Sequence, residues 1–277
     1  MRATNAVGDS AYSNEASATT QAGLPGAPSG LTATSVATDQ INLTWTDNAT
    51  NETGFKIERK TGAGGTYAQI ATIGASITTY SNTDLTPGTS YFYRVRATNA
   101  GGDSAYSNEA SATTLTTIWP PEATPALVDV MDGVPSTEIG VRFNSDRAGW
   151  IKALRFYKGP ANTGVHVGHL WTNTGTLLAT VTFTNETASG WQQANLPTPI
   201  AITAGTPYVA SFYSQSQHFC TDISYFAGQE HDQPPLHALA DGIAGPNGIY
   251  HDSASAFPTD GAGASNFWVD VVFSDTP

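Results

Sequence analysis

A nineteen-residue segment occurs twice in this chain, and its two copies lie 94 positions apart. Residues 2–20 and 96–114 differ only where Val7 stands in the place of Gly101. Such self-similarity marks a structural unit, and a period of this length is too long for a solenoid repeat. It matches a small β-sandwich domain of about 100 residues. The repeat therefore predicts a chain built from domains of that size.

The positions of the two copies divide the chain. Residues 24–117 are predicted to be a complete domain, and residues 1–23 the C-terminal remnant of a preceding copy. Met1 stands where the repeat has Val95, so we expect the sequence to begin inside a domain. Residues 118–277 repeat nothing and are predicted to form a different unit. A total of 277 residues fits about two domains.

The charge distribution disfavours two classes of partner. The formal net charge is −12, and residues 118–277 carry five basic against fourteen acidic side chains. Such a surface repels the phosphates of nucleic acids and anionic lipids. No stretch approaches the roughly 18 apolar residues of a membrane span. We therefore expect no nucleic acid partner and no membrane insertion.

Polar and apolar residues alternate along the first unit, as half-buried strands require. The pattern is clear over residues 40–45 and 55–59, and turn signals such as Pro87-Gly88 separate the runs. Seven such runs without a helical period predict an all-β sandwich.

Several residues of this unit form a recognisable pattern. Pro28 opens the first predicted strand, Trp45 ends the second, a tyrosine corner ends at Tyr91, and residues 93–97 are the sixth strand of the pattern. In these features the unit resembles a fibronectin type III domain. The resemblance implies that Trp45 packs in the core, that the Tyr91 hydroxyl bonds to backbone, and that the unit is a spacer.

The second unit follows a proline-rich joint at residues 115–125. Three prolines within six positions stiffen a linker and exclude a helix. The alternation then resumes in runs of five to seven residues. About eight to ten such strands predict a jelly-roll-like β-sandwich, two antiparallel sheets with long loops at their ends.

Six sequence blocks follow one another in the second unit, at residues 152–159, 162–171, 186–192, 235–242, 246–250 and 267–273. Through these blocks the unit resembles, over residues 119–275, the bacterial family called domain of unknown function 4082. The resemblance implies a non-catalytic β-sandwich appended to large secreted bacterial proteins. It is similar in outline to carbohydrate-binding modules.

No catalytic motif stands out. The Gly-x-Ser-x-Gly pentapeptide of α/β-hydrolases is absent, and no carboxylate lies in a recognisable acid motif of a glycosidase. The single cysteine, Cys220, cannot form an internal disulfide, and we expect it to be buried. We therefore predict that the chain is not an enzyme.

Two kinds of metal site can be compared. All six histidines lie in the second unit, but His166 and His169 are three apart on a predicted strand and so face opposite sides. This spacing disfavours a transition metal. A structural calcium ion would take oxygen ligands, and Asp129, Asp132 and Asp270 near the two ends of the unit are the predicted set. The alternative is that these are ordinary solvated acids.

Sugar binding requires aromatic stacking surfaces and a few fixed polar groups. If residues 267–273 form one strand, Phe267 and Val269 point inward and leave the face of Trp268 and Asp270 open. The run of residues 231–266 is predicted to be a long functional loop. The candidate ligand contacts are Arg155, Tyr157, His166, Trp171, His237, Asp241, Tyr250 and Trp268.

Together these features predict an extracellular or cell-surface fragment of a secreted bacterial modular protein. In this hypothesis the second unit binds an extracellular polysaccharide or other polymer, and the first holds it at a distance. One alternative is a structural or adhesive role, in which tandem domains form a stalk or filament that binds proteins or self-associates. A third is an uncharacterised hydrolase.

Overall fold

The computed structural model describes all 277 residues, and every regular element in it is a β-strand. No helix in it is long and apolar enough to cross a bilayer. The strands before the joint are β1 (Thr4–Asn5), β2 (Gly8–Asp9), β3 (Ser29–Ser35), β4 (Ile41–Thr46), β5 (Gly54–Thr61), β6 (Ala68–Gly74), β7 (Thr79–Asn82), β8 (Ser90–Asn99), β9 (Gly102–Asp103) and β10 (Ala110–Thr113).

The strands from the joint onward make up the second half. They are β11 (Thr116–Thr117), β12 (Leu127–Met131), β13 (Thr137–Ser145), β14 (Gly149–Lys158), β15 (His166–Thr172), β16 (Leu177–Thr182), β17 (Gly190–Ile202), β18 (Tyr208–Ser214), β19 (His218–Thr221), β20 (His231–Gln233), β21 (Leu236–Ala238), β22 (Ile249–Asp252), β23 (Asp260–Gly261) and β24 (Val269–Ser274).

The first sandwich packs the sheet β3-β4-β7 against the sheet β10-β8-β5-β6. Eleven buried apolar residues form its core, among them Trp45 and Tyr93. The Tyr91 hydroxyl accepts a hydrogen bond from the Thr86 amide at 3.0 Å. The predicted sandwich is confirmed, and so are the core position of Trp45 and the tyrosine corner.

The repeated segment forms the same turn in both places. In the N-terminal copy the side chain of Asn5 accepts a bond from the Val7 amide at 2.8 Å, and β1 pairs with β2. In the second copy Asn99 accepts from the Gly101 amide at 2.8 Å, and β8 pairs with β9. The turn is therefore encoded locally, because it forms at residues 4–9 without a complete sandwich around it.

Packing explains why the two copies differ at one position, where Val7 in the first copy corresponds to Gly101 in the second. The chain at Ala22 and Gly23 passes over the second turn, where the side chain of Asn99 donates to the Gly23 carbonyl at 2.8 Å. A Cβ on Gly101 would collide with the Ala22 carbonyl oxygen. Val7 lies 96% exposed, with no chain above it.

The joint belongs to the second sandwich. The backbone of β11 pairs with β24, with Thr116 opposite Phe273, and forms the edge of the sheet β11-β24-β14-β17. Ile118 and Trp119 are fully or almost fully buried in the second core. The proline-rich segment is therefore anchored along this edge instead of spanning solvent, and the second sandwich takes in residues from Thr116 onward.

The second sandwich packs this four-stranded sheet against the path β16-β15-β18-β13-β21-β20, with β22 and β23 continuing from β13. Twenty-five buried residues form its core. Strands β12 and β19 make a separate antiparallel pair. The predicted all-β architecture is confirmed. The prediction of one long loop over residues 231–266 is wrong, because β20 to β23 lie within it.

The last strand departs from simple alternation. Trp268 has a φ of 55°, and β24 begins only at Val269. This left-handed turn brings both Phe267 and Trp268 into the core. Asp270 is also fully buried, beneath the joint. The prediction of an open face at Trp268 and Asp270 is therefore wrong.

Gly101→Val should lower the free energy of unfolding by about 1–3 kcal/mol, because the new side chain must displace the segment at Ala22. Chemical denaturation of the full chain measures this. The control is Val7→Gly, which changes the equivalent exposed position and should have an effect within about 0.5 kcal/mol. Equal stability of both variants would contradict this packing explanation.

Candidate functional site

Asp270 fastens the joint to the second sandwich. Its Oδ1 accepts hydrogen bonds from the amides of Ile118 and Val271, each at 2.7 Å. Its Oδ2 lies 3.2 Å from Nη1 of Arg155. Complete burial raises the pKa of Asp270 to about 6, against the lowering effect of Arg155 and the backbone amides. Arg155 is 6% exposed, so the two predicted site residues form an internal ion pair.

Tyr157 and Trp268 also pack inward. Their rings meet edge to face at 6.3 Å, and both rings contact Trp191. Tyr157 is half-buried and Trp268 is almost completely covered. Of this group, Trp191 is the side chain that lines a cleft with Arg155.

His166 lies in a buried polar network. Its Nδ1 is 2.8 Å from Glu186, which also binds Lys158 at 2.7 Å. Its Nε2 is 2.9 Å from Oδ1 of Asn162, which also accepts from Ser214. Burial lowers the pKa of His166, against the raising effect of Glu186. Because it is fully buried, it cannot contact a ligand at the surface.

A serine, a histidine and a glutamate meet on the opposite face of β15. Glu138 is fully buried, and its Oε1 lies 2.9 Å from His169 Nδ1 and 2.5 Å from the Ser211 hydroxyl. Trp171 donates to Ser211 at 2.8 Å. A hydrolytic nucleophile must bond to its general base, but this serine bonds to the carboxylate. The predicted contact Trp171 is thus an internal brace, only 8% exposed.

His237 is clamped by two carboxylates. Its Nδ1 lies 2.6 Å from Asp232 and its Nε2 2.9 Å from Asp146. Partial burial lowers its pKa, but the two carboxylates outweigh this and raise the pKa of His237 above its ordinary value. The ligand atoms of Glu230, Asp232 and His237 lie within 4.8 Å of one another, which makes this the one group that could hold a metal ion.

The remaining predicted contacts lie apart. Asp241 is exposed, and its Oδ1 accepts from the amide of Asn247 at 2.8 Å. Asn247 is fully buried and bonds in turn to the backbone of Arg142 and Leu239. Tyr250 is half-buried and lines a pocket near β22.

The structure does not bring the predicted calcium ligands together. Asp270 is committed to Arg155 and Ile118, while Asp129 accepts from the amide of Ala161 at 3.1 Å. Asp132 accepts from the amide of Val134 at 2.9 Å, within its own turn. A structural calcium ion stays a prediction, but this trio does not supply its site.

A cleft lies between the two sandwiches. It consists of three adjoining hollows of about 370, 260 and 250 Å³. Neighbouring hollows share lining residues, such as Lys152 between the first two and Gln193 between the last two. We call this the interdomain cleft; its lining includes Ser35, Val36, Ser90 and Phe92 from the first sandwich and Lys152, Arg155, Trp191, Gln193 and Asn195 from the second.

Sequence reasoning missed the interdomain cleft because it depends on how the two sandwiches meet. The alternation along β17 did carry a signal. Gln193 and Asn195 are exposed, while Gln192 and Ala194 between them are buried. A pair of exposed amides on one face of a strand indicates a polar surface, but not what faces it.

Comparison with protein families decides the classification. The family model for the fibronectin type III domain matches residues 26–113. The model for the domain of unknown function DUF4082 matches residues 122–269, more than half of the chain. The chain belongs to the DUF4082 family. Both resemblances drawn from the sequence are confirmed.

Several known proteins are similar to parts of the chain. Exoglucanase B of Cellulomonas fimi is 29% identical over 165 residues, which cover 56% of this chain and 14% of that protein. A Fn3-like protein from Clostridium thermocellum is 34% identical, with 32% of this chain and 92% of that chain covered and a TM-score of 0.29. The structure of FN3tt is 27% identical, with 34% and 97% covered and a TM-score of 0.30.

The blocks that identify the DUF4082 module are mainly internal braces. Lys158 and Glu186 come from different blocks and pair at 2.7 Å, and Arg155 pairs with Asp270 of the closing block. These residues specify the scaffold. They explain why four of the eight predicted contacts are buried, namely Arg155, His166, Trp171 and Trp268.

Asp270→Ala should lower the free energy of unfolding of the DUF4082 module by about 3–5 kcal/mol, because it leaves Arg155 buried without its counter-ion. The matched control is Asp275→Ala. Asp275 pairs with the half-exposed Arg147, so its loss should cost less than about 1 kcal/mol. Denaturation curves that show equal losses would contradict the role given to Asp270.

His237→Gln should destabilise the module at about pH 5.5 and much less at about pH 9. The pKa of His237 is higher in the folded chain than its unfolded value of about 6.5. The protonated imidazole therefore stabilises the fold below the unfolded pKa, and this stabilisation is lost as pH rises through the folded-state pKa. Thermal melts at both pH values measure the difference from the unmodified chain. His251→Gln, a half-buried histidine outside this cluster, is the control. A pH-independent effect would contradict the clamp.

Proposed function

We propose that this chain is a non-catalytic, glycan-binding part of a secreted bacterial modular protein, and that the polymer lies in the interdomain cleft. The observation that carries the proposal is that the three hollows adjoin one another between the two sandwiches, two of them against β14 and β17 and the third against β3, β10 and the end of β24. An elongated passage suits a chain-like ligand, whereas an isolated pocket suits a small molecule.

The chemistry of the lining supports a glycan. Gln193 donates to Asn195 at 3.0 Å, and both amides keep further donors and acceptors for sugar hydroxyls. The guanidinium of Arg155 lies 4.3 Å from the ring centre of Trp191, which gives a flat surface beside them. Lys152 adds a cation further along the passage.

The first sandwich takes part in this proposed site. Its segment from Ser35 to Thr38 forms one wall, opposite β17. The wall is held in place because the amide of Leu115 donates to the Ala37 carbonyl at 3.2 Å. The fibronectin type III unit then acts as half of a binding surface and not solely as a spacer.

The comparison with exoglucanase B suggests the first ligand to try. Its name describes an enzyme that acts on a glucan, and part of that protein is similar to this chain. We therefore propose a glucan as the polymer, with a soluble β-glucan as the first probe, and an extracellular location for the chain. Glu138 is fully buried and bonded to His169 and Ser211, so this carboxylate is not available to a glucan at the surface.

Replacing both Gln193 and Asn195 with Ala should weaken binding to a soluble β-glucan at least about tenfold, a loss of about 1.4 kcal/mol. Affinity electrophoresis of the full chain in glucan-containing gels measures the retardation. The matched control, Gln69→Ala with Gln215→Ala, removes two exposed amides that lie outside the cleft.

Three outcomes would count against the proposal. Equal retardation of both double variants would place binding outside the cleft. Release of reducing ends over time would show a hydrolase. Absence of retardation together with concentration-dependent self-association in sedimentation would favour the adhesive alternative.

A further inference from the structure

A second concave site lies in the DUF4082 module, away from the interdomain cleft. It has a volume of about 330 Å³ and lies between β13, β19 and β22. We call it the Tyr250 pocket. Its lining residues are Asp132, Val134, Thr137, Ile139, Phe219, Tyr250, Asp252, Gly261, Ala262 and Phe267.

The pairing of β13 with β22 determines which side chains enter the pocket. Ile139 lies opposite Tyr250, and Thr137 lies opposite Asp252. Residues two apart on a strand share a face, so these four side chains project to the same side. Tyr250 and Asp252 are thus held in place by paired strands and not by a loop alone.

The floor of the Tyr250 pocket is aromatic and fixed. Phe219 and Phe267 pack edge to face, with ring centres 5.5 Å apart. Phe267 is 6% exposed and belongs to the main core, while Phe219 and Tyr250 are half-buried against that core. Aromatic rings present a negative face to a bound group, and this face attracts cations.

The rim carries only negative charge. Asp132 and Asp252 are both exposed, and no lysine, arginine or histidine lines the pocket. Asp132 accepts from the Val134 amide at 2.9 Å, and Asp252 accepts from Thr137 at 3.4 Å. Each of these bonds uses one carboxylate oxygen, Oδ1, and leaves Oδ2 available.

We infer that the Tyr250 pocket binds a small organic ammonium ion. The apolar part of such an ion would pack on Phe219, Phe267 and Tyr250, and its charge would meet the two carboxylates. An anion would be repelled by the rim. A bare metal ion would need its ligand atoms close together, and Asp132 and Asp252 belong to no such group.

Two sources could supply this chemistry. One is an amino sugar with a free amine, and the other is a free alkylammonium ion such as choline. The pair glucosamine and N-acetylglucosamine separates charge from sugar shape, because acetylation removes the positive charge. Choline carries the charge without the sugar.

The test is a titration of the full chain with each of the three compounds, followed by calorimetry or by NMR shifts of residues around Tyr250. Glucosamine should bind at least tenfold more tightly than N-acetylglucosamine, and its affinity should fall as salt is added. Tighter binding of choline than of glucosamine would assign the site to alkylammonium ions and would still support the inference.

Asp132→Asn with Asp252→Asn should reduce ammonium binding at least tenfold. These changes preserve size and the Oδ1 acceptors, so folding should be retained. The control, Asp39→Asn with Glu122→Gln, removes the same net charge at exposed positions outside the pocket. If the pocket binds the ion, this control should bind like the unmodified chain. If the attraction came from net charge alone, both double variants would lose affinity equally.

Tyr250→Leu keeps an apolar wall but removes the ring face, and it should weaken binding of the ammonium compounds severalfold. The inference is overturned if N-acetylglucosamine binds as well as both ammonium compounds, if the Asp132/Asp252 variant binds unchanged, or if no ammonium compound shifts the Tyr250 region. None of these outcomes depends on glucan binding in the interdomain cleft, whose Gln193 and Asn195 variants leave this pocket intact.

Discussion

The carboxylate of Asp270 accepts a hydrogen bond from the amide of Ile118 and so holds the joint against the second sandwich. Removing a carboxylate from water costs several kcal/mol, so a fully buried one persists only when compensated. Arg155 supplies the counter-charge, and the amides of Ile118 and Val271 supply the hydrogen bonds. Together with the pairing of β11 and β24, this bond attaches the joint along β24.

Other buried polar groups of the module are compensated in the same way. Glu138, His166 and Asn247 are fully buried, and each is bonded to named partners. Unpaired, any of them would cost stability, so their sequence positions are constrained by folding before any function is considered. These buried polar residues therefore maintain the fold, and specificity for a ligand must come from side chains at the surface.

The sequence predicted the features that are set locally or by alternation. The strands and the core position of Trp45 follow from period-two patterning. It could not predict the left-handed turn at Trp268, which reverses the expected face of that side chain. Nor could it pair Arg155 with Asp270, because alternation assigns a face but does not reveal what covers it.

The two concave surfaces differ in charge, and this bears on what the module can distinguish. Lys152, Arg155 and Asp275 line the interdomain cleft, and Arg155 is paired with the buried Asp270, whereas the Tyr250 pocket carries the carboxylates of Asp132 and Asp252 and no cation. The cleft is therefore mixed in charge, and its exposed amides suit the hydroxyls of a neutral glycan. The acidic pocket instead favours an ammonium group. A polymer that carries occasional free amines could engage both, through its neutral backbone in the cleft and an ammonium group in the pocket.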